Sequence, residues 1–185
     1  MASSQIDPKD YQAFQALLED FCGILLGPNK QYLVSSRLKR LMENNRIASL
    51  GELVARLNQP GMNELRAQVV DLMTTNETQW FRDDYPFSFL QNVLFPEVRQ
   101  SSKRQINIWS SACSTGQEPY SISMNVADYK SQKASNRFEA DITATDISPT
   151  VLKEAREGFY CGMSASRGVD QANVSKYFES QGGCI

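Results

Sequence analysis

Residues 106–124 read INIWSSACSTGQEPYSISM, a short apolar stretch that leads into small residues and then into a helical pattern. Ile106–Trp109 predicts a strand, and Glu118–Asp128 predicts a helix. Alternating apolar and polar residues from Phe138 to Ala144 predict a second strand, after which Ser148-Pro149 opens another helix. Strand, helix, strand and helix in this order are typical of a right-handed parallel unit, so this part of the chain indicates an α/β fold.

The sequence before residue 74 indicates a small α-helical domain. Asp7-Pro8 is an N-cap followed by a first-turn proline, and Ser49 with Glu52 forms a capping-box pattern. Four helices are predicted from apolar residues at helical spacing, among them Tyr11, Phe14, Leu17, Leu18, Phe21, Leu33, Leu38, Leu41, Met42, Leu53, Val54, Leu57, Leu65, Val69, Leu72 and Met73. We therefore predict an α-helical domain over 1–73, a joining segment over 74–105, and a Rossmann-like α/β domain over 106–185.

The composition excludes several classes of function. The chain has 185 residues and no histidine, and the absence of histidine excludes Ser-His-Asp catalysis. Its net charge of -2 argues against a dedicated nucleic-acid binder. No apolar run approaches the ~20 residues needed to cross a bilayer, and the N-terminus lacks a signal-peptide pattern, so a cytoplasmic protein with no membrane insertion is predicted. The four cysteines have no CxxC spacing; they are predicted to be reduced thiols, with no metal site.

The turn between the predicted strand and helix is the first candidate site. Small residues in Ser111–Gly116 let a ligand approach the backbone closely, as in nucleotide-binding α/β folds, although the turn does not match GxGxxG. Asp146, after the second predicted strand, can accept hydrogen bonds from ribose hydroxyls, and helix capping is its competing role. Together these features favour an adenosine-type ligand.

A polar and aromatic stretch, TTNETQWFRDD (residues 74–84), is the second candidate site. Asn76 and Thr78 offer short, directional hydrogen bonds, and Arg82 offers a bidentate fork for a carboxylate. Judged by itself, the stretch is better explained as a polar linker with an Arg-Asp surface pair.

Three segments carry a resemblance to a known family: TTNETQWFRDDYPF, IWSSACSTGQEPYSISM and ITATDISPTVLKEAREGFY, in this order and behind a small helical domain. They resemble the CheR family, whose members are chemotaxis receptor glutamate O-methyltransferases that use S-adenosyl-L-methionine and release S-adenosyl-L-homocysteine. The resemblance covers nearly the whole chain. It implies a methyltransferase enzyme whose partners are methyl-accepting chemotaxis receptors.

Residue roles follow from the resemblance position by position. It implies cofactor contacts from Asn76, Thr78, Arg82, Glu118 and Asp146, with Arg82 also the catalytic residue expected near the reacting groups. The second helix is similar to the family's basic face for the receptor's methylation region, and its candidate docking residues are Arg37, Lys39, Arg40 and Arg46. A solvated charged face is the alternative explanation of that helix.

The sequence departs from the family pattern at three places. Ala112 stands where the family usually has glycine, which we expect to be tolerable with a negative φ, and Gln117 stands where glutamate is usual. The family's later Asn-Leu and Arg-Asn motifs and β-subdomain do not appear before Ile185, so the methyltransferase domain is expected to be incomplete and to transfer methyl groups feebly or not at all. A half-built parallel sheet is also expected to expose an apolar edge and face.

Two other functions remain open at this point. A non-catalytic module could dock on a receptor through the basic helix and bind cofactor weakly or not at all. A nicotinamide-dependent oxidoreductase shares the strand-loop-helix pattern, but it lacks GxGxxG and leaves TTNETQWFR unexplained.

Overall fold

A computed structural model describes residues 6–101, 104–132 and 138–185 of the chain. The chain divides into two compact units, Met1–Thr75 and Asn76–Ile185. The first is all helical within its described residues, and the second combines helices with a small parallel sheet. This architecture confirms the predicted fold class, an α-helical region followed by an α/β region.

The described residues of the first unit form four helices, and two of these helices begin at capping residues that the sequence predicts. Asp7 accepts a hydrogen bond from the backbone N–H of Lys9 (2.7 Å), and Ser49 accepts one from Glu52 (3.1 Å). These contacts satisfy N–H groups that a first helical turn leaves without partners. The helices are α1 (Pro8–Cys22), α2 (Gln31–Asn44), α3 (Leu50–Leu57) and α4 (Asn63–Met73).

The apolar stripes of these helices meet in one core. Phe14, Leu18, Leu38, Leu53 and Leu57 are fully buried. Burying each such side chain contributes about 1.5–3 kcal/mol, so this core is the main stabilising element of the unit. The positions are those at which the helical period places apolar residues on one face.

Within its described residues, the second unit alternates helices with two strands. Its elements are α5 (Tyr85–Phe89), a π-helical turn (Leu90–Leu94), α6 (Phe95–Gln100), β1 (Gln105–Ser111), α7 (Gln117–Gln132), β2 (Glu139–Thr145), α8 (Pro149–Glu157), α9 (Met163–Ser166) and α10 (Gln171–Tyr177). Residues 76–100 therefore belong to this unit.

β1 and β2 are parallel neighbours, with Ile108 opposite Ile142. The predicted strand-helix-strand order is confirmed. Ile108 and Ile142 point to the face of the sheet that packs against α7, where they meet a cluster that includes Ile122, Val126 and Phe138. The carboxyl ends of both strands thus lie at the same edge of the sheet, followed by the 111–116 loop (Ser111–Gly116) and by Asp146.

The other face of the sheet is mainly polar, which contradicts the expectation of an exposed apolar face. Asn107, Asp141 and Thr143 are exposed there, and Gln105 donates to the Asp141 carboxylate at 2.7 Å. Trp109 is the apolar exception, with 70% of its surface exposed. The cause is the strict alternation of both strands, which is typical of a sheet covered on one face.

A disulfide joins Cys161 and Cys184, which contradicts the prediction of four reduced thiols. The two residues are 23 positions apart in sequence, but an antiparallel bridge pairs them directly. Spacing alone could not reveal this pairing because it depends on how the segment after α10 folds back. Cys22 and Cys113 are free thiols, in agreement with the prediction for them.

Candidate functional site

The 111–116 loop leaves the sheet at the carboxyl end of β1 and leads into α7. The backbone N–H of Cys113 donates to the carbonyl of Thr145 at 2.9 Å, so the loop stays tied to the end of β2. Cys113 and Ser114 are buried, whereas Ser111 and Ala112 are exposed. The loop therefore presents its first residues to solvent and packs its later residues inward.

Two non-glycine residues of this loop have left-handed backbone angles. Ala112 has φ +57° and Ser114 has φ +51°. Ala112 was expected to be tolerable on the condition of a negative φ, and this condition is not met. A Cβ in this region crowds the following carbonyl oxygen, and a residue held there costs on the order of 1–3 kcal/mol. Glycine would adopt the same angle without that cost.

Asp146 connects the ends of both strands. One carboxylate oxygen accepts a hydrogen bond from the backbone N–H of Ser114 (2.8 Å), and the other accepts one from Ser148 (2.9 Å). Ser148 itself caps α8 by accepting from Val151 at 3.2 Å. Asp146 thus holds the strained loop, and each of its oxygens keeps a lone pair for a further donor.

Glu118 lies in the first turn of α7 and is exposed. One of its carboxylate oxygens accepts a hydrogen bond from the hydroxyl of Ser110, a buried residue of β1, at 2.7 Å. This contact orients Glu118 over the end of the strand. The sequence did not single out Ser110, although a serine in an otherwise apolar strand face is a usable signal.

The two carboxylates give the loop a negative environment. Burial raises the pKa of the Cys113 thiol, and the charges of Asp146 and Glu118 raise it further. Cys113 is therefore a neutral, buried thiol in a loop that the Asp146 carboxylate contacts at Ser114 and that the Glu118 carboxylate flanks through Ser110. Such an environment favours a ligand that is neutral or positively charged.

Asn76 reaches the same loop from the start of the second unit. The Ser114 hydroxyl donates to the backbone carbonyl of Asn76 at 2.7 Å. The side chains of Asn76 and Thr78 are half-buried and make no hydrogen bond to any residue that the structure describes. Their donor and acceptor groups therefore remain available to a ligand. Ser114 thus links the loop to both Asn76 and Asp146, a role that the sequence analysis did not predict.

Arg82 lies in a turn that is anchored on its N-terminal side. The backbone N–H of Phe81 donates to the hydroxyl of Ser121 in α7 at 3.1 Å. The Arg82 guanidinium is largely exposed, 3.5 Å from the carbonyl of Glu77 and 3.8 Å from the Asp83 carboxylate. These long contacts leave its fork free to turn toward a carboxylate. The structure shows no direct contact between Arg82 and Asp146 or Glu118.

Backbone strain concentrates in the 111–116 loop and in the turn that contains Arg82. Among the described residues, seven non-glycine positions have positive φ, and five of them lie at Phe81, Asp83, Asp84, Ala112 and Ser114. Strained residues persist only where the surroundings fix them, and they cluster at ligand-binding sites. The strain therefore indicates the same two segments as the polar side chains do.

The four basic residues predicted for docking have different surroundings in the first unit. Arg37 is half-buried and donates to the carbonyls of Met73 (2.7 Å) and Thr74 (2.9 Å), so it caps the C-terminus of α4. Lys39 and Arg40 are exposed on α2, without an ion-pair partner in the described part of the chain. Arg46, after α2, is exposed as well.

Comparison with protein families agrees with this geometry. The model of the CheR methyltransferase SAM binding domain matches residues 76–184, and that of the CheR methyltransferase all-alpha domain matches residues 9–74. The chain belongs to the CheR methyltransferase family. The candidate site therefore lies within the family's SAM (S-adenosylmethionine) binding domain.

Curated relatives support the same assignment. The chain is 49% identical over 175 residues to "Chemotaxis protein methyltransferase Cher2" of Pseudomonas putida, covering 94% of this chain and 64% of the relative. It is 44% identical over 182 residues to "Chemotaxis protein methyltransferase" of Vibrio parahaemolyticus, covering 98% and 66%. The chain thus spans about two thirds of the length of these relatives. Among its described residues, no helix is long and apolar enough to cross a membrane.

The residues at the loop fit SAM as a ligand. SAM is a nucleoside with a positively charged sulfonium and an amino-acid end, and it carries no phosphate. Asp146 and Glu118 supply carboxylates for hydroxyl or ammonium donors, and the segment 105–128 contains no Lys or Arg that would pair with a phosphate. These hydrogen-bond acceptors, with no nearby cation for a phosphate, therefore suit SAM better than a dinucleotide.

Proposed function

We propose that this chain carries out SAM-dependent methyl transfer to glutamate side-chain carboxylates of chemotaxis receptors, forming methyl esters and releasing S-adenosylhomocysteine. The observation that carries the proposal is the arrangement of Asp146 and Glu118 around the strained 111–116 loop, within the SAM binding domain. The names of the relatives support the chemotaxis assignment.

The proposed reaction suits a chain without histidine. A glutamate carboxylate has a reference pKa of about 4.3, so it is ionised at pH 7 and needs no general base to become a nucleophile. When bound, SAM supplies a methyl group activated by the positive sulfur. The contribution of the protein is to exclude water and align the groups, which can lower a barrier by roughly 7–11 kcal/mol.

Each site residue has a role in this proposal. Asp146 and Glu118 accept hydrogen bonds from the cofactor, with Asp146 at the ribose. Asn76 and Thr78 contribute the side-chain groups that have no partner among the described residues. Arg82 binds the cofactor's amino-acid end or holds the substrate carboxylate through its fork, because its guanidinium makes only long contacts within the chain.

The first unit is proposed to dock on the receptor through α2. Lys39 and Arg40 are its best candidates because their exposed charges have no partner in the described structure. Arg46 joins them as an exposed charge, whereas Arg37 is engaged with the end of α4. The proposed target is the cytoplasmic methylation region of the receptor, which would place the protein in the cytoplasm.

Reversing both charges in Lys39→Glu/Arg40→Glu should weaken receptor binding by roughly tenfold or more at low salt. The difference from wild type should shrink as salt rises, because exposed charges are screened within about 10 Å at 0.1 M ionic strength. Surface plasmon resonance on receptor fragments would measure the affinity of each variant at low and at high salt. The matched control, Lys153→Glu/Arg156→Glu on α8, makes the same charge change on two exposed residues of the second unit. Equal weakening by both variants would contradict docking through α2.

Calorimetric titration with S-adenosylhomocysteine tests the cofactor assignment. We expect saturable 1:1 binding, with NAD giving no signal. Absence of S-adenosylhomocysteine binding would favour the second candidate, a non-catalytic receptor-docking module. The observation behind that alternative is that the sheet has two strands within the described residues. Selective NAD binding would instead support an oxidoreductase.

A further inference from the structure

Tyr160 lies behind the 111–116 loop and contacts its backbone. It follows α8, is buried, and donates its hydroxyl hydrogen to the carbonyl oxygen of Thr115 at 2.7 Å. The hydroxyl also packs against Gly116, where an added Cβ would lie only 3.0 Å from the Tyr160 oxygen. The end of the loop therefore has little space to move toward Tyr160.

The ring of Tyr160 is itself fixed by buried aromatic packing. Trp80 is fully buried and meets the ring edge-to-face, with centroids 4.9 Å apart. The Trp80 indole N–H donates to the carbonyl of Ser164 at 2.8 Å, so Trp80 cannot turn without losing this bond. The backbone of Tyr160 is paired in both directions with Ile185, at 2.7 and 2.8 Å. Tyr160 is thus a rigid support.

The loop needs such a support because its conformation is strained. Ala112 and Ser114 have positive φ, and strain of this kind persists only where neighbouring groups over-determine it. Asp146 holds the amide of Ser114, and Tyr160 holds the carbonyl of Thr115. Burial raises the pKa of the Tyr160 hydroxyl, so the group stays a hydrogen-bond donor throughout the neutral range.

We propose that Tyr160 is a positioning residue of the cofactor site, which keeps the 111–116 loop in its binding conformation through the carbonyl of Thr115. The proposal rests on the proposed function, since the loop is taken as the cofactor loop. Tyr160 acts through the backbone and needs no contact with the cofactor. Because the loop is already ordered before the cofactor binds, the binding free energy is not reduced by the entropy cost of ordering it.

The test compares Tyr160→Phe with Tyr177→Phe. Tyr160→Phe removes one oxygen and keeps the ring that packs on Trp80. Tyr177→Phe is the matched control, because the Tyr177 hydroxyl donates to the Asp128 carboxylate at 2.7 Å, in the C-terminal half of α7, whereas the 111–116 loop leads into the N-terminus of that helix. We expect Tyr160→Phe to weaken S-adenosylhomocysteine binding about 3- to 10-fold by calorimetry, the range for one lost hydrogen bond, and Tyr177→Phe to leave it unchanged.

Hydrogen–deuterium exchange without ligand gives a second readout that a purely global effect would not reproduce. In Tyr160→Phe the amides of Ser114 and Gly116 should exchange faster, while amides of the β1 and β2 ladder keep their wild-type rates. Equal cofactor affinity in Tyr160→Phe and wild type, or equal losses in both variants, would overturn the proposal. If wild type binds no S-adenosylhomocysteine, the proposed function fails, and unchanged loop exchange would show that the positioning role fails too.

Discussion

Asp146→Ala is expected to weaken S-adenosylhomocysteine binding by about 10- to 150-fold, the range for hydrogen bonds to a charged group. The substitution removes the carboxylate proposed to accept from the ribose. It also releases the backbone N–H of Ser114, which Asp146 holds at 2.8 Å, so the strained loop loses one of its restraints. Calorimetric titration would measure the affinity, and a thermal melt would measure stability.

Two further variants separate these contributions. Asp146→Asn keeps one side-chain acceptor and removes the charge, so it should retain more stability than Asp146→Ala. Asp141→Ala removes an exposed carboxylate from β2 that contacts Gln105 and should leave cofactor affinity unchanged. The helix α8 should survive in all three variants because Ser148 caps it. A lower melting temperature with unchanged affinity in Asp146→Ala would make Asp146 a purely structural residue.

The fold was largely predictable because its signals are local. Capping residues such as Ser49 and the helical spacing around Phe14 and Leu18 depend on neighbours in sequence, and the structure confirms the helices that they predict. The strand-helix-strand order also predicted the parallel pair that β1 and β2 form. The alternation of apolar and polar residues in both strands contained the evidence that one sheet face is polar, and the expectation of an apolar face overlooked it.

Features that depend on tertiary contacts were not predictable from the sequence. The sequence does not distinguish an arginine whose side chain caps another helix from an arginine exposed to solvent. Arg37 was therefore grouped with Lys39 and Arg40. The sign of φ at Ala112 belongs to the folded conformation of the loop, and the residue type alone argued for the opposite sign. The pairing of Cys161 with Cys184 likewise requires the final turn of the chain.

The candidate site was predictable in part. Its acidic residue after β2 and its small-residue loop were predictable from their positions in the α/β pattern. The supporting residues were not, because Ser110, Ser114 and Tyr160 act through single hydrogen bonds to groups far away in sequence. A motif therefore identifies the groups that would meet the ligand, and the structure is needed to identify the groups that hold them.

We expect the 185-residue chain to transfer methyl groups at least ~100-fold more slowly than the full-length Pseudomonas putida relative under the same conditions. In an open parallel sheet, a ligand lies across the carboxyl ends of several strands. The described residues provide two strands, and the chain spans 64% of that relative. The proposed catalysis works by positioning, and a misplacement of ~1 Å can cost on the order of 10²-fold in rate.

The measurement is transfer of a labelled methyl group to receptor membranes at saturating SAM, with S-adenosylhomocysteine affinity determined for both proteins. Saturation matters because it separates a slow chemical step from weak cofactor binding. Slow transfer by this chain with measurable cofactor affinity would mean that Asp146, Glu118 and the 111–116 loop suffice for binding but not for alignment of the reacting groups. Equal labelling by both proteins would contradict this, because the site around the two described strands would then align the receptor carboxylate by itself.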